Sequence, residues 1–209
     1  MPKGKTRSQT NRGAQSRVLR IIGGAWRGRR LRFPASEEIR PTPDRVRETL
    51  FNWLGPRAID ARCLDLFAGS GALGLEALSR GASRVVFVER DAAAVRELLQ
   101  RLEEWQAPNA DVERADAERF LAKSSESFDI VFLDPPFATG LLGRTAERLE
   151  TAGRLAPGAL IYIERSARES LPPLPANWRE LKGKVAGEVG YHLFERGQSE
   201  QGAGKGPDT

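Results

Sequence analysis

The sequence predicts an α/β fold organised around one mostly parallel sheet. From residue 61 onward, short apolar runs alternate with helical patterns, and the first of these runs leads into a glycine-rich turn. Near the end of the chain, two further runs at 179–185 and 188–195 flank Ala186-Gly187 and predict an antiparallel hairpin that closes the sheet. The 209 residues suffice for one substantial core with an extension.

A basic extension precedes the sheet. Residues 1–17 contain almost no apolar side chain and are predicted to be disordered, as are residues 197–209. Apolar pairs on both sides of Gly23-Gly24 predict a short, arginine-rich β-hairpin between Val18 and Phe33. The chain therefore divides into a tail at 1–17, a hairpin-and-helix segment at 18–54, a main domain at 55–196 and a second tail at 197–209.

A helix is predicted after the hairpin. Thr42 is its expected N-cap, and Pro43 is its expected first helical residue. Apolar positions recur at helical spacing up to Leu54, and Gly55-Pro56 then ends the helix.

The main domain is predicted to alternate strands with helices. The predicted strands lie at residues 63–67, 84–89, 110–114, 130–134 and 159–164. The predicted helices lie at residues 72–80, 91–104, in a short stretch near Glu118, and at 141–155.

Positive charge is concentrated in the extension. Residues 1–34 contain ten Lys or Arg and no Asp or Glu, whereas residues 51–209 contain 20 basic against 24 acidic side chains. Clustered cations on an arm attract a phosphate backbone and release its counterions. The pattern indicates an arm that binds nucleic acid, with a solubilising tail as the alternative.

Several features favour a reducing cytoplasm and exclude other classes. No apolar run approaches the roughly 18 residues that a bilayer requires, and the basic N-terminus lacks the apolar core of a secretory signal. The single cysteine, Cys63, cannot form an internal disulfide and is predicted to be a buried small hydrophobe. His192, the single histidine, is predicted to be a sheet residue and not a general base. No cluster of His, Cys and Asp has metal-ligand spacing, so no metal is predicted.

A glycine-rich turn follows the first predicted strand and opens a helix. Glycines let the backbone pass close to a ligand, and the helix N-terminus supplies free N–H donors, so the turn favours a nucleoside or nucleotide. Gly69, Gly71 and Gly74 also fit the pattern G-x-G-x-x-G, which leaves a dinucleotide-binding dehydrogenase open. The turn residues predicted to contact the cofactor are Phe67, Ala68, Gly69, Ser70 and Gly71.

Acidic residues at strand ends decide between these cofactors. Glu89 ends the second strand and can accept both ribose hydroxyls in either class. Asp116 follows the third strand and can accept from an adenine amino group, while the Ala117 N–H donates to the ring. Asp65 can face the ammonium of a methionine group. Each acid alone could be solvated or could cap a helix, but the set in this order favours S-adenosylmethionine.

The segment Asp134-Pro135-Pro136-Phe137 follows an apolar strand, at the sheet edge where ligands bind in open α/β folds. The lone pair of a base amino group is delocalised into the ring, so this nitrogen is a poor nucleophile. If Asp134 and the Pro135 carbonyl accept its N–H bonds, the nitrogen can pyramidalise and direct its lone pair at a sulfonium methyl.

The other residues of the segment support this geometry. The two prolines hold the Pro135 carbonyl in place. Phe137 offers a flat face on which the base can stack, and Asp134 can take the proton that is released. A plain strand-terminating turn is the alternative interpretation.

These motifs resemble a known family, the RsmD family of bacterial enzymes that methylate guanine N2 in 16S ribosomal RNA. The resemblance covers roughly residues 20–195. Its specific motifs are RIIGG at 20–24 with WRGR at 26–29, and RPTPDRVRETLFNW at 40–53. The motifs at 65–71 and 134–137 are shared by many amino-methyltransferases, including those that act on DNA adenine. The two tails are not part of the resemblance.

The resemblance implies an α/β class I methyltransferase fold, with a Rossmann-like sheet of seven strands whose last strand is antiparallel and an N-terminal basic β-hairpin extension. It implies S-adenosylmethionine as the cofactor. It implies a guanine of 16S ribosomal RNA as the substrate, within the assembled or assembling small ribosomal subunit. The residues that we expect to contact RNA are Arg20, Trp26, Arg27, Arg29, Arg30, Arg40 and Arg45.

Three other functions fit parts of the sequence. A DNA adenine or cytosine amino-methyltransferase would use the same catalytic segment. A non-catalytic RNA-binding assembly factor would need only the basic arm, but the acids at the strand ends argue against a decayed pocket. A dehydrogenase that uses NAD explains neither the Asp-Pro-Pro-Phe segment nor the arginines of the hairpin.

Overall fold

Seven strands form one sheet, with helices on both of its faces, and a separate two-stranded hairpin precedes it. The computed structural model describes residues 16–34, 42–136 and 140–197. The strands are β1 (Ser16–Arg20), β2 (Arg30–Pro34), β3 (Arg62–Asp65), β4 (Arg84–Glu89), β5 (Ala110–Arg114), β6 (Phe128–Leu133), β7 (Leu155–Ser166), β8 (Trp178–Ala186) and β9 (Val189–Arg196). The helices are α1 (Asp44–Leu54), α2 (Ala72–Ser79), α3 (Ala92–Glu104), α4 (Ala117–Lys123) and α5 (Leu141–Thr151), and a 3-10 turn, Gly55–Ala58, follows α1.

The order of the strands defines where a ligand can bind. Across the sheet the order is β5-β4-β3-β6-β7-β9-β8, and the first five of these strands are parallel. Strand β9 lies antiparallel between β7 and β8, which confirms the predicted α/β class and the antiparallel last strand. The strand order reverses between β3 and β6, and open α/β sheets bind ligands in the crevice at such a switch point.

The two faces of the sheet have separate cores. One core contains the inward side chains of α1, α2 and α3, together with Leu19, Ile21 and Leu31 of the hairpin. The other core contains side chains of α4 and α5, such as Leu121 and Leu149. The hairpin is therefore packed into the domain on the same face as α1 and α2.

Helix α2 anchors the hairpin by polar contacts. The backbone N–H groups of Ile22 and Gly23 donate to Glu76 at 2.8 and 2.9 Å. Ser79 accepts from the Trp26 N–H at 2.9 Å through its hydroxyl, which itself donates to the Gly23 carbonyl at 2.6 Å. Gly24 has a φ of +78°, and a Cβ there would lie 1.7 Å from the Ser79 carbonyl oxygen, so this close approach requires glycine.

The largest differences from the predicted boundaries are at α5 and β7. Helix α5 ends at Thr151, not at 155, because Gly153 adopts a left-handed conformation that terminates it, and β7 begins at Leu155 instead of 159. The periodicity of α5 therefore does not continue into the leucine that starts the next strand. Between Phe128 and Ile130 the pairing of β6 with β7 shifts register, which accommodates the extra residues of β7.

The start of α1 also differs from the prediction. The helix begins at Asp44, and Pro43 occupies the cap position without a side-chain hydrogen bond. The predicted cap residue, Thr42, instead donates its hydroxyl to Glu164 at 2.7 Å. Thr42 thus joins the extension to the sheet and does not cap the helix.

The predicted tails lie almost wholly outside the described residues. Ser16 and Arg17, at the end of the tail predicted for 1–17, belong to β1. Gly197, at the start of the second predicted tail, donates its N–H to the Asn177 carbonyl at 2.7 Å. Within the described ranges, no helix has the length and apolar character needed to cross a bilayer.

Candidate active site

Three acidic residues, two buried and one half-buried, converge at the carboxyl ends of adjacent strands. Asp65 ends β3, Asp134 follows β6, and Glu164 lies near the end of β7. Asp65 is in register with Phe132, and Leu133 is in register with Ile163, so the three acids continue the same face of the sheet. The sequence predicts sites at Asp65 and Asp134, whereas it places Glu164 only at the end of a strand.

The glycine-rich turn lies directly above β3 at the switch point. The Ala68 N–H donates to the Val88 carbonyl at 3.0 Å, and the Gly71 N–H donates to the Ala68 carbonyl at 2.6 Å. Gly69 and Gly71 adopt φ values of +50° and +74°, which favour glycine. Phe67 and Ser70 are half-buried beside them. The turn therefore leads directly into the N-terminus of α2.

Asp65 is held beneath this turn. Its carboxylate is 3% exposed and accepts the Gly74 N–H at 3.0 Å. Burial raises the pKa of Asp65 to about 7, and the negative charges of Glu89 and Glu164 act in the same direction, against the hydrogen bond from Gly74. A cationic group bound here would offset both the burial and the repulsion.

Glu89 and Asp116 are already used by the backbone. Glu89 accepts from the Gly69 N–H at 2.8 Å and from the Asp91 N–H at 2.7 Å, one bond to each oxygen. Asp116 caps α4 and accepts the Arg119 N–H at 2.8 Å through Oδ1. Each carboxylate oxygen can accept a second hydrogen bond, so these contacts leave room for ribose hydroxyls at Glu89 and an adenine amine at Asp116. Ala117 is the first residue of α4 and is buried.

Asp134 differs from the other acids because its carboxyl has no hydrogen-bond donor among the residues that the structure describes. It is half-buried, and Pro135 is buried while Pro136 is exposed. Burial raises the pKa of Asp134 well above its ordinary value, and the charges of Glu164 and Asp65 add to the effect. The fourth predicted residue of the segment, Phe137, lies outside the described residues.

Glu164 is the neighbour of Asp134 on β7 and is 3% exposed. Its Oε1 accepts from the Thr42 hydroxyl at 2.7 Å and from the Tyr162 hydroxyl at 2.8 Å. Burial raises the pKa of Glu164, although both hydroxyls and the nearby guanidinium of Arg47 oppose the shift. A carboxyl group at the end of an otherwise apolar strand was the available sequence signal for this residue.

The chemistry of these donors and acceptors fits S-adenosylmethionine. The cofactor carries an ammonium and a sulfonium, and the site offers the carboxyl groups of buried Asp65 and half-buried Asp134, whose pKa values are raised by burial and by like charges. The backbone of the turn and the remaining lone pairs of Glu89 and Asp116 are of the type that an adenosine requires. Within the described ranges, no group of three or more His, Cys, Asp or Glu residues is arranged to hold a metal ion.

The predicted RNA contacts lie on the hairpin and on α1, apart from Arg40, which is outside the described residues. Arg27, Arg30 and Arg45 are exposed. The Arg20 side chain is 65% exposed and lies 4.0 Å from Asp44. These arginines therefore present positive charge to solvent.

Trp26 and Arg29 have a different environment. The Arg29 guanidinium lies 5.3 Å from the centre of the Trp105 ring and 6.0 Å from that of Trp26. Trp26 packs edge-on against Trp105 with ring centres 5.1 Å apart. These contacts join the hairpin to α3 and hold Arg29 at the surface.

Cys63 and His192, which the sequence predicts not to be catalytic, contact other parts of the fold. Cys63 is fully buried, and burial raises the pKa of its thiol far above the ordinary value, so it is not a nucleophile at neutral pH. His192 lies in β9, where Nδ1 is 2.7 Å from Glu180 Oε1 and Nε2 accepts from Arg165 at 3.1 Å.

Comparison with known proteins assigns this chain to a family. The model of the family described as "Conserved hypothetical protein 95" matches residues 19–195. Ribosomal RNA small subunit methyltransferase D of Escherichia coli K12 is 53% identical over 178 residues, which is 85% of this chain and 90% of that protein.

Two solved structures extend the comparison. The structure described as "Putative methyltransferase yhhF" from Escherichia coli superposes with a TM-score of 0.79 at 52% identity, covering 86% of this chain and 98% of that one. The 16S rRNA N2-guanine methyltransferase RsmC of Thermus thermophilus, in complex with AdoMet and guanosine, superposes with a TM-score of 0.60 at 28% identity. This match covers 88% of this chain and 50% of that one.

Proposed function

This chain belongs to the RsmD family, and on that premise we propose that it is an S-adenosylmethionine-dependent methyltransferase that acts on the exocyclic N2 amine of a guanine in 16S ribosomal RNA. The observation that carries the proposal is the carboxyl of Asp134. It lies at the switch point of the sheet, half-buried and without a donor among the described residues, next to the carbonyl of Pro135. This arrangement suits a ligand that supplies N–H groups.

The cofactor is held by residues on both sides of β3. Asp65 would hold its ammonium, the backbone of residues 67–71 would contact its nucleoside, and Glu89 and Asp116-Ala117 would bind its ribose and adenine. When bound, S-adenosylmethionine supplies an electrophilic methyl group on a sulfonium. The carboxyl groups of buried Asp65 and half-buried Asp134 favour a cation at this edge, because burial and like charges raise the pKa of each.

The catalytic segment acts on the base. Asp134 and the Pro135 carbonyl accept the two N–H bonds of the amine, which localises the nitrogen lone pair and orients it. The rigid prolines keep the carbonyl in place, and Phe137 stacks on the base. Because burial and like charges raise the pKa of Asp134, its carboxylate is a stronger base than an exposed aspartate and takes the proton that the amine loses.

The extension supplies affinity for RNA. Arg20, Arg27, Arg29, Arg30, Arg40 and Arg45, with Trp26, lie on or beside the hairpin that α2 anchors, and we propose that they contact phosphates around the target guanine. The substrate is then the assembled or assembling small subunit, in the cytoplasm, because an arm that contacts phosphates over a wide surface suits folded RNA. Helix α2 begins at the glycine-rich turn and contacts the hairpin through Glu76 and Ser79, so one helix joins the proposed cofactor site to the proposed RNA-binding extension.

The proposal is tested by methyl transfer from labelled S-adenosylmethionine to small ribosomal subunits that lack the modification, followed by mapping of the labelled nucleotide. Wild-type protein is expected to label one guanine at N2 and to leave DNA unlabelled. Asp134→Ala is expected to lose about 100-fold or more of the rate while it still binds the cofactor. Its matched control is Asp129→Ala, at the opposite end of β6, where the side chain pairs with Arg62.

The expected rate of the Asp129→Ala variant is that of wild type. Wild-type turnover in Asp134→Ala contradicts the catalytic role of this residue. Label in DNA, or in a base other than guanine, contradicts the proposed substrate.

A further inference from the structure

Glu164 lies next to Asp134 at the carboxyl edge of the sheet. Leu133 and Ile163 are in register on the parallel strands β6 and β7, so the next residues, Asp134 and Glu164, are neighbours on the same face. In a parallel pair, side chains in register lie side by side at the distance between strands, about 4.8 Å. Side chains that converge from this spacing can bring two acceptors to two adjacent donors on the edge of one base.

One oxygen of Glu164 is used for positioning and the other is not. Oε1 accepts from the hydroxyls of Thr42 and Tyr162. Oε2 has no donor among the described residues. Two side-chain atoms of those residues are sealed from solvent without a partner, Thr145 Oγ1 and Arg154 Nε. Oε2 of Glu164 is not one of them, so it retains some contact with solvent although the residue is only 3% exposed. The charge of Glu164 acts on Asp134, so the two carboxyl groups lie close together.

The surroundings of Glu164 favour an acceptor over a donor. Two hydroxyl groups donate to it, and the positively charged, fully buried Arg47 lies near it. A carboxylate in this setting accepts hydrogen bonds and donates none. Thr42 belongs to the segment before α1, so the extension itself holds the orientation of the carboxylate.

The edges of the bases differ in the atom next to the amine. Guanine presents N2–H₂ beside N1–H, two adjacent donors, whereas adenine and cytosine present their amine beside a ring nitrogen that accepts. We propose that Glu164 is a specificity-determining residue whose Oε2 accepts the N1–H of the guanine whose N2 amine is held by Asp134. This inference rests on the proposed function. It assigns the choice of guanine over adenine and cytosine to one carboxylate.

The test uses base analogues at the guanine mapped in the wild-type reaction. Small subunits are reconstituted with 16S RNA that carries guanine, 2-aminopurine or 6-thioguanine at that position. 2-Aminopurine keeps the amine but has an unprotonated N1, and 6-thioguanine keeps N1–H and the amine while it replaces the oxygen at position 6. Wild-type kcat/KM is expected to fall at least about 100-fold for 2-aminopurine, because Oε2 then faces a lone pair. For 6-thioguanine the expected value is within about tenfold of guanine.

Two variants separate specificity from structure. Glu164→Gln keeps an oxygen for Thr42 and Tyr162 and adds an amide N–H that can donate to N1, so its preference for guanine over 2-aminopurine is expected to fall below about tenfold. Thr42→Val removes one positioning bond and leaves Oε2 in place. Its rates are expected to fall equally for guanine and 2-aminopurine, with an unchanged ratio.

The outcomes separate this inference from the proposed function. Label on guanine with equal rates on 2-aminopurine, or an unchanged ratio in Glu164→Gln, overturns the inference alone. If Glu164→Gln does not fold, the wild-type ratio between guanine and 2-aminopurine still decides. No label on guanine in wild type overturns the proposed function and this inference together.

Discussion

Acidic side chains on the same face of this sheet differ in how many hydrogen bonds they accept. Glu76 is fully buried in α2 and accepts four hydrogen bonds, from the backbone of Ile22 and Gly23 and from the guanidinium groups of Arg47 and Arg80. Asp65 accepts one bond, and Asp134 accepts none from the described residues. A carboxylate with four donors stabilises the fold, whereas one left without donors is available to a ligand.

The partner charges make the same distinction. Arg47, fully buried, lies 3.3 Å from Glu76 and 2.6 Å from Asp44, and it also donates to the Arg20 carbonyl. Burial raises the pKa values of the site acids, and the negative charges of their neighbours raise them further. The carboxylate of Glu76, which anchors the hairpin, is therefore paired with positive charge, whereas the acids of the candidate active site have negative neighbours.

The largest expected effect is that of Glu76, which anchors the hairpin, on the free energy of unfolding. Glu76→Ala leaves the buried charge of Arg47 without its carboxylate and removes the acceptor of two backbone N–H groups. We expect the free energy of unfolding to fall by about 3–5 kcal/mol. Denaturant unfolding measures it, with Arg84→Ala as the control, because the pairs of Arg84 with Asp111 and Glu126 are exposed and contribute about 1 kcal/mol or less. A loss below about 1 kcal/mol for Glu76→Ala would show that the anchor is not structural.

The second prediction concerns Asp65, where we expect a substitution to raise the free energy of unfolding at pH 8. In the folded chain its pKa is about 7, above its value of about 4 in an unfolded chain. The folded state therefore binds a proton at Asp65 more readily, and the contribution of Asp65 to the free energy of unfolding falls as the pH rises from about 4 to about 7, then levels off. Asp65→Asn removes this dependence and keeps an oxygen for the Gly74 N–H. We expect it to be more stable than wild type at pH 8 by about 1–3 kcal/mol, and similar at pH 4.

The same substitution should weaken the binding of the cofactor. Loss of the charged partner of the ammonium is expected to raise the Kd for S-adenosylmethionine by about 10- to 100-fold at pH 8, measured by calorimetry. Asp111→Asn, at an exposed position, serves as the control for both measurements. Lower stability in Asp65→Asn at pH 8, or unchanged affinity, would remove the contrast between the anchor and the site.

Much of this contrast could be predicted from the sequence, but not all of it. The turn at 67–71 and the acids Asp65 and Asp134 follow from local patterns, because a parallel sheet brings the carboxyl ends of its strands to one edge. Glu164 could not be assigned a role in the same way, because its contact with Thr42 joins residues 122 positions apart. Local pattern favours Thr42 as a helix cap, and the tertiary contact with Glu164 prevails.

Glu76 was missed for a related reason, although its signal was present. It is the one charged residue in the helix Ala72–Ser79, ALGLEALS. A lone acid in an apolar helix predicts a buried carboxylate that must find donors. The sequence could not identify those donors, since they come from the hairpin and from α1, whose packing against α2 depends on the whole fold.

The smallest expected effect separates the anchor from the surface that it supports. Replacing Arg27, Arg30 and Arg45 together with alanine removes three exposed guanidinium groups and leaves the contacts of Glu76 intact. The free energy of unfolding should change by less than about 1 kcal/mol, because these side chains are exposed. Affinity for the small subunit is expected to fall, with the slope of log K against log salt reduced by about 1 for each arginine that contacts a phosphate. Filter binding at several salt concentrations measures the slope, and Arg168→Ala, on the loop after β7, is the control. An unchanged slope in the triple variant would mean that RNA is bound elsewhere, and the anchored hairpin would then be a structural element alone.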